Sequence, residues 1–303
     1  IFEMKINRLA AIDIGSNSLR LLITNVVQTK DQTYFRKVSI TRLPVRLGEE
    51  AFLSGCIKKS TGKRLVDSMH AFSAIMRVHD IDDYRACDTA AMRECQNRDY
   101  WINELRKKTN IDVEVIDGKD EANLVFSAQL LDNIKPKETN LLFADVGGGS
   151  TELTIFHNGN PRKSKSFKIG TVRELIGRNS KSIWSELKSW ILSEFKGFED
   201  ASVAVIGSGG NINKVHKMSG NKLNEPLTLE YLNSIHKKMS FIGYEDRITS
   251  FELNNDRADV IIPALEIFLK ILDFSKSSKV YVPKIGLSDG IIREIYRSKY
   301  ASK

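Results

Sequence analysis

Ala11-Ile12-Asp13-Ile14-Gly15-Ser16-Asn17-Ser18 and Phe143-Ala144-Asp145-Val146-Gly147-Gly148-Gly149-Ser150 are the two stretches whose comparison decides the fold. Each is an apolar run that closes on an Asp, then a Gly/Ser turn, then a second apolar run. The return run is Leu19 to Val27 in the first copy and Thr151 to Phe156 in the second. Two apolar runs joined by a tight Gly/Ser turn read as a β-hairpin. The second copy follows the first by 132 residues, Asp13 to Asp145. One supersecondary unit used twice at that offset predicts a duplicated domain and a cleft between two similar halves. The plain alternative is a pair of unrelated turns, but both copies carry the Asp as well as the Gly and Ser.

Outward from the hairpins, strands and helices alternate. A strand is expected over Tyr34 to Arg42, and helical spacing of Leu65, Met69, Phe72 and Met76 predicts a helix over Thr61 to Val78. Strands at Arg85 to Thr89 and Asp112 to Ile116 each lead into a helix, through Trp101 and Leu105 and over Glu121 to Leu131. The alternation predicts an α/β fold. The polar, Pro-containing stretch Asp132 to Asn140 is the expected linker, giving domains 1–132 and 133–303. A length of 303 residues fits two domains.

Composition excludes a fully disordered chain, a collagen and a coiled coil: 41% of residues are hydrophobic and 28% charged. Three cysteines without C-x-x-C spacing speak against a disulfide framework or a zinc knuckle. The most apolar run, Val260 to Leu272, is interrupted by Pro263, Glu266 and Lys270 and is short of a membrane span. No signal peptide is evident, Ile1-Phe2-Glu3 before Met4 carry no weight, and a cytoplasmic protein without a membrane partner is expected. Lys and Arg number 46 against 38 Asp and Glu, a balance of +8, split +3 over residues 1–137 and +5 over 138–303. This favours an anionic partner.

Turns rich in Gly and Ser gather backbone N–H groups around a small volume and suit phosphate oxygens. Gly15, Ser16, Asn17 and Ser18 form the first such turn, and Gly147, Gly148, Gly149, Ser150 and Thr151 the second. Gly207, Ser208 and Gly209 form a third, between a strand (Ser202 to Ile206) and a helix (Ile212 to Met218). Its spacing matches neither the dinucleotide nor the P-loop pattern, and an ordinary strand-to-helix turn remains the alternative. Asp13, Asp145 and Glu152 beside these turns would repel phosphate unless a cation bridges them, and Mg²⁺ suits a few carboxylates plus phosphate oxygens. The alternative for each Asp is capping its own turn. Arg93 offers a planar fork for phosphate, or is a surface residue on a first helical turn. Glu121, in Gly118-Lys119-Asp120-Glu121-Ala122, reads most simply as a helix-dipole partner. Arg162, Lys163, Lys165 and Lys168 form a basic cluster that is either a solvated face or a polyanion landing surface; Lys214 and Lys217 lie by the third loop.

Taken together these strings resemble the exopolyphosphatase / guanosine pentaphosphate phosphohydrolase family, within the sugar-kinase, heat-shock-chaperone and actin superfamily. The resemblance rests on the two Asp-turn strings, Arg46-Leu47-Gly48, Thr89-Ala90-Ala91-Met92-Arg93, Gly118 to Ala122, Gly170-Thr171-Val172-Arg173, Gly207-Ser208-Gly209, Arg257-Ala258-Asp259 and Gly286-Leu287-Ser288-Asp289-Gly290. It implies two ribonuclease-H-like domains flanking a cleft and Mg²⁺-dependent hydrolysis of a terminal phosphoanhydride. It also implies Glu121 as the catalytic carboxylate, Asp145 and Glu152 as metal-associated acids and Arg93 as a phosphate ligand. The expected substrate is inorganic polyphosphate, with guanosine pentaphosphate or another nucleotide as the alternative. A non-catalytic polyphosphate- or nucleotide-binding protein is the second alternative. No nucleic-acid reading module is present. The family is compatible with a homodimer, which the sequence leaves open. Two departures stand out: Asp120 where a Glu is common, and Ser288 where the family carries an Arg in Gly-Leu-Arg-Glu-Gly. The chain also ends where larger members continue into helical domains.

Overall fold

The structure is a computed structural model and describes residues 4–127, 136, 138–178, 180–196 and 202–301. Most of the expected linker, the end of the Glu121 to Leu131 helix and Ile1 to Glu3 lie outside those residues. By contacts the chain divides into two units, Ile1–Ala128 with Leu287–Lys303, and Gln129–Gly286.

The first unit is built on strands β1 (Lys5–Ile14), β2 (Leu19–Gln28), β3 (Thr33–Leu43), β4 (Asp83–Asp88) and β5 (Val113–Val115). Their order in the sheet is β3-β2-β1-β4-β5. The β1–β2 and β2–β3 pairings are antiparallel, and the β1–β4 and β4–β5 pairings are parallel. From Leu9 to Ile14, β1 is buried throughout, as expected of a central strand covered on both faces.

The second unit holds β6 (Asn140–Val146), β7 (Thr151–His157), β8 (Asn160–Phe167), β9 (Val203–Ser208), β10 (Leu227–Thr228) and β11 (Lys279–Tyr281). Read from β8, the order is β8-β7-β6-β9-β11, with β10 added antiparallel at the far edge. Up to β11 this is the order and the antiparallel-then-parallel pattern of the first sheet. The duplication expected from the two hairpins therefore extends to the whole topology, and both units are ribonuclease-H-like. The apolar run at Val260 becomes the core helix Ile261–Ser275, which buries Leu265, Phe268, Ile271 and Leu272. Among the described residues, no helix is long and apolar enough to cross a membrane.

The expected boundary 133–303 is corrected at its far end. The C-terminal helix Leu287–Lys299 buries Leu287, Ile291, Ile292, Ile295 and Tyr296, and packs on β1, β2, β4 and the helix Gly118–Ser127 of the first unit. Tyr296 meets Phe35 of β3 edge to face, at 5.6 Å between ring centroids, and Lys37 pairs with Asp289 at 2.7 Å. An amphipathic helix goes where its apolar stripe is covered. Reading along the chain shows the stripe but not which sheet covers it.

Candidate active site

In the first unit, β1 ends at Ile14 and the turn closes with Gly15 N–H donating to Ser18 O at 3.2 Å. The carbonyls of Ser16 and Asn17 are taken from outside the turn. Gly48 N–H donates to Ser16 O at 2.8 Å and Arg46 N–H to Asn17 O at 3.1 Å. Asp13 is 6% exposed. Burial raises its carboxyl above the usual range, and the Arg20 guanidinium, 3.4 Å from Oδ2, opposes that shift.

The second unit repeats the device. Gly147 N–H donates to Ser150 O at 3.0 Å. The carbonyls of Gly147 and Gly148 accept from Thr171 N–H at 3.0 Å and Val172 N–H at 2.9 Å, and the Arg173 guanidinium holds Gly149 O. No acceptor among the described residues takes the amides of Gly148 and Gly149. With its carbonyls tied back and two amides without an acceptor among the described residues, the turn has the polarity of an anion nest. The bracing segments Arg46–Gly48 and Gly170–Arg173 were not among the site residues read from the sequence. The only signal for them was their place among the resemblance strings, because backbone donors leave no side-chain signature.

Gly170 approaches the second turn so closely that a Cβ there would lie 2.3 Å from Gly148 O and 2.6 Å from Gly149 C. Gly170→Ala is therefore expected to cost about 1–3 kcal/mol through overpacking and to weaken phosphate-ligand binding. Thermal denaturation and calorimetry check both, and a wild-type profile in each would show that the brace is dispensable.

Across the β6–β7 hairpin Asp145 is paired in register with Glu152, as Asp13 is with Arg20 across β1–β2. Glu152 is 1% exposed and accepts from Ser166 Oγ at 2.9 Å. Two carboxylates directly opposed on one ladder repel each other unless a cation lies between them. Among the described residues no group of three or more His, Cys, Asp or Glu gathers to hold a metal. A two-carboxylate donor set of hard oxygens fits Mg²⁺, which keeps waters and takes phosphate oxygens as its other ligands. The third loop joins this end of the sheet, since Ser208 at the end of β9 pairs in register with Asp145. Ser208 Oγ donates to Ile285 O at 3.0 Å. Gly209, at φ 123° and with a would-be Cβ 2.7 Å from Val146 O, leads into the helix Gly210–Ser219.

Glu121 lies in the first turn of the helix Gly118–Ser127 and is 8% exposed. The first-turn amides of Lys119 and Asp120 already bond Asp117 Oδ1, both at 2.8 Å. Asp117 thus caps this turn, and the exposed Asp120 shares with Glu121 the first-turn position of the helix-dipole partner that the plain reading gave to Glu121. Arg93 closes the short helix Ala90–Arg93, and its Nη1 donates to Ile116 O at 2.8 Å.

Asp88, at the end of β4, is fully buried. Burial pushes its carboxyl well above the usual range, the nearby Asp13 adds to that shift, and the Met92 amide and Arg93 oppose it. A raised folded-state pKa means that the contribution of Asp88 to stability is fully present below the unfolded value of about 3.9 and is lost as pH rises through the folded one. Asp88→Asn is expected to raise the Tm relative to wild type at about pH 8, with the gain shrinking toward about pH 4. A gain independent of pH would count against a proton held on Asp88.

The basic cluster lies on and just after edge strand β8, where Lys163 pairs with Glu194 and Lys165 with Glu186 at 2.8 Å. Lys214 lies apart from it, on the helix Gly210–Ser219.

Two α/β units of one topology, each closing its first hairpin with an Asp and a braced Gly/Ser turn, define an actin-like fold. The structure matches the crystal structure of an exopolyphosphatase from Cytophaga hutchinsonii with a TM-score of 0.81 and 24% identity, covering 96% of this chain and 98% of that one. A family model described as the Ppx/GppA phosphatase family matches residues 25–182. The chain belongs to that family. It is 28% identical to a bifunctional 3-dehydroquinate synthase/phosphatase of Fusobacterium nucleatum, over 88% of this chain and 43% of that protein. It is 30% identical to exopolyphosphatase 1 of Mycobacterium leprae, over 67% of this chain and 59% of that protein. The chain thus spans about half the length of these two curated relatives.

Proposed function

We propose that this protein hydrolyses the terminal phosphoanhydride of inorganic polyphosphate. The observation that carries the reading is the pair of hairpin turns with carbonyls tied outward, one of them beside the opposed carboxylates Asp145 and Glu152. In this reading the turns Gly15 to Ser18 and Gly147 to Thr151, through the amides not used to close the turn, the Gly207–Gly209 loop and Arg93 bind phosphate oxygens and stabilise charge on the transferred group. Asp145 and Glu152, with Asp13 as a further candidate, would hold Mg²⁺, which when bound supplies positive charge to the phosphate oxygens. Glu121 orients the attacking water and takes its proton.

Guanosine pentaphosphate is the second substrate supported, by the family's resemblance strings rather than by a nucleoside pocket. The test is phosphate release by the purified protein, with Mg²⁺, from polyphosphates of several lengths, guanosine pentaphosphate and ATP. Release from polyphosphate above the others supports the proposal, and preference for guanosine pentaphosphate replaces the substrate. No release from any of them would leave a binding protein. Light scattering on the same sample reads whether it is the homodimer that the family allows.

A further inference from the structure

The helix that carries Arg93 has four residues, Ala90–Arg93, and cannot hold its own geometry. Thr89, at its N-cap, makes no capping bond with its side chain. The side chain that does so belongs to the preceding residue: Asp88 Oδ1 accepts from Met92 N–H at 3.2 Å. The same residue's carbonyl accepts from Ile116 N–H at 3.0 Å, and Ile116 O in turn receives Arg93 Nη1 at 2.8 Å. Asp88, Met92, Arg93 and Ile116 thus form a closed circuit of three hydrogen bonds. Asp88 makes two of them.

We propose that Asp88, through its bond to the Met92 amide, is a positioning residue that sets the Arg93 guanidinium for phosphate. The inference rests on the phosphate-binding reading of Arg93 and adds the element that holds it. Asp88 Oδ2 is buried and accepts no hydrogen bond among the described residues, which an ionised carboxylate tolerates badly and a protonated one tolerates better. Asp13, Arg93 and Cys95 are the ionisable groups coupled to it. The expected strand Arg85 to Thr89 contains Asp88 without giving it a role, because its bond partners lie four and twenty-eight residues further on.

The test compares KM and kcat for Mg²⁺-dependent phosphate release from polyphosphate by wild type, Asp88→Ala, Asp88→Asn, Arg93→Ala and the Asp88→Ala/Arg93→Ala double variant. Asp88→Ala is expected to raise KM about fivefold, the value of one hydrogen bond, with kcat less affected. Asp88→Asn keeps an acceptor without charge and is expected to stay within about twofold of wild type. In the Arg93→Ala background, loss of the Asp88 side chain is expected to add nothing further to KM. Should Asp88→Ala be unfolded by circular dichroism, Asp88→Leu keeps the branched shape, removes the acceptor and is read in its place. Calorimetric binding of tripolyphosphate in the Glu121→Gln background gives the same comparison without turnover. Additive effects of the two substitutions, or an Asp88→Asn protein as impaired as Asp88→Ala, would overturn the proposal. An Arg93→Ala protein with unchanged KM would instead overturn the reading of Arg93 on which it rests.

Discussion

Glu121→Gln is expected to fold as wild type does and to lose phosphate release by about 10²–10⁴-fold, the range a positioned general base supplies. Gln keeps the volume of the buried side chain, and Asp117 continues to cap the helix through the Lys119 and Asp120 amides. The substitution therefore removes the charge of the carboxylate and its capacity to take a proton, and keeps the volume and the helix cap. Circular dichroism and thermal denaturation report the fold, and single-turnover phosphate release reports the chemical step. Release near the wild-type rate would falsify the assignment of Glu121 as the base. A protein that loses its melting transition would make Glu121 a structural residue of the first unit.

Glu152→Gln is expected to move stability in opposite directions with and without metal. Without metal, the substitution relieves the repulsion between directly opposed carboxylates on β6 and β7, worth about 0.2–1 kcal/mol, and the Tm rises. The bond from Ser166 Oγ survives, because the amide oxygen of Gln accepts it. With Mg²⁺ at about a hundred times its dissociation constant, wild type gains about 2.7 kcal/mol by mass action, and the variant gains much less. Differential scanning calorimetry across a Mg²⁺ titration separates the two effects. A Mg²⁺-dependent Tm gain in Glu152→Gln equal to that of wild type would remove Glu152 from the metal site.

Much of the site is legible in the sequence because it is built from local devices. An Asp at a strand end and a Gly/Ser turn need only neighbours in the chain, so both hairpins are found where they were read. Residues outside local reach were harder to see. Arg46 and Gly48 brace a turn some thirty residues earlier, Thr171 to Arg173 brace one more than twenty residues earlier, and they do it mainly through backbone N–H groups that every residue type but proline owns. The basic cluster, read from charge alone, turned out to include two lysines engaged with glutamates of the helix Lys181–Phe195.

The sequence by itself determined the α/β class, the duplication and the two Asp-turn hairpins. Strand alternation and turn chemistry act over a few residues, and the repeat offset is visible in one dimension. Only the tertiary structure decided three things. It returned the helix Leu287–Lys299 to the first unit, because an apolar stripe does not specify which sheet will cover it. It gave the capping bond of the Arg93 helix to buried Asp88 rather than to Thr89, because the cap depends on where the β4 end meets the chain that follows. It set Asp145 opposite Glu152 and Asp13 opposite Arg20, so that one turn with one origin faces a second carboxylate in one unit and a guanidinium in the other. Pairing across a ladder follows register, which the turn and the buried face of the sheet set together.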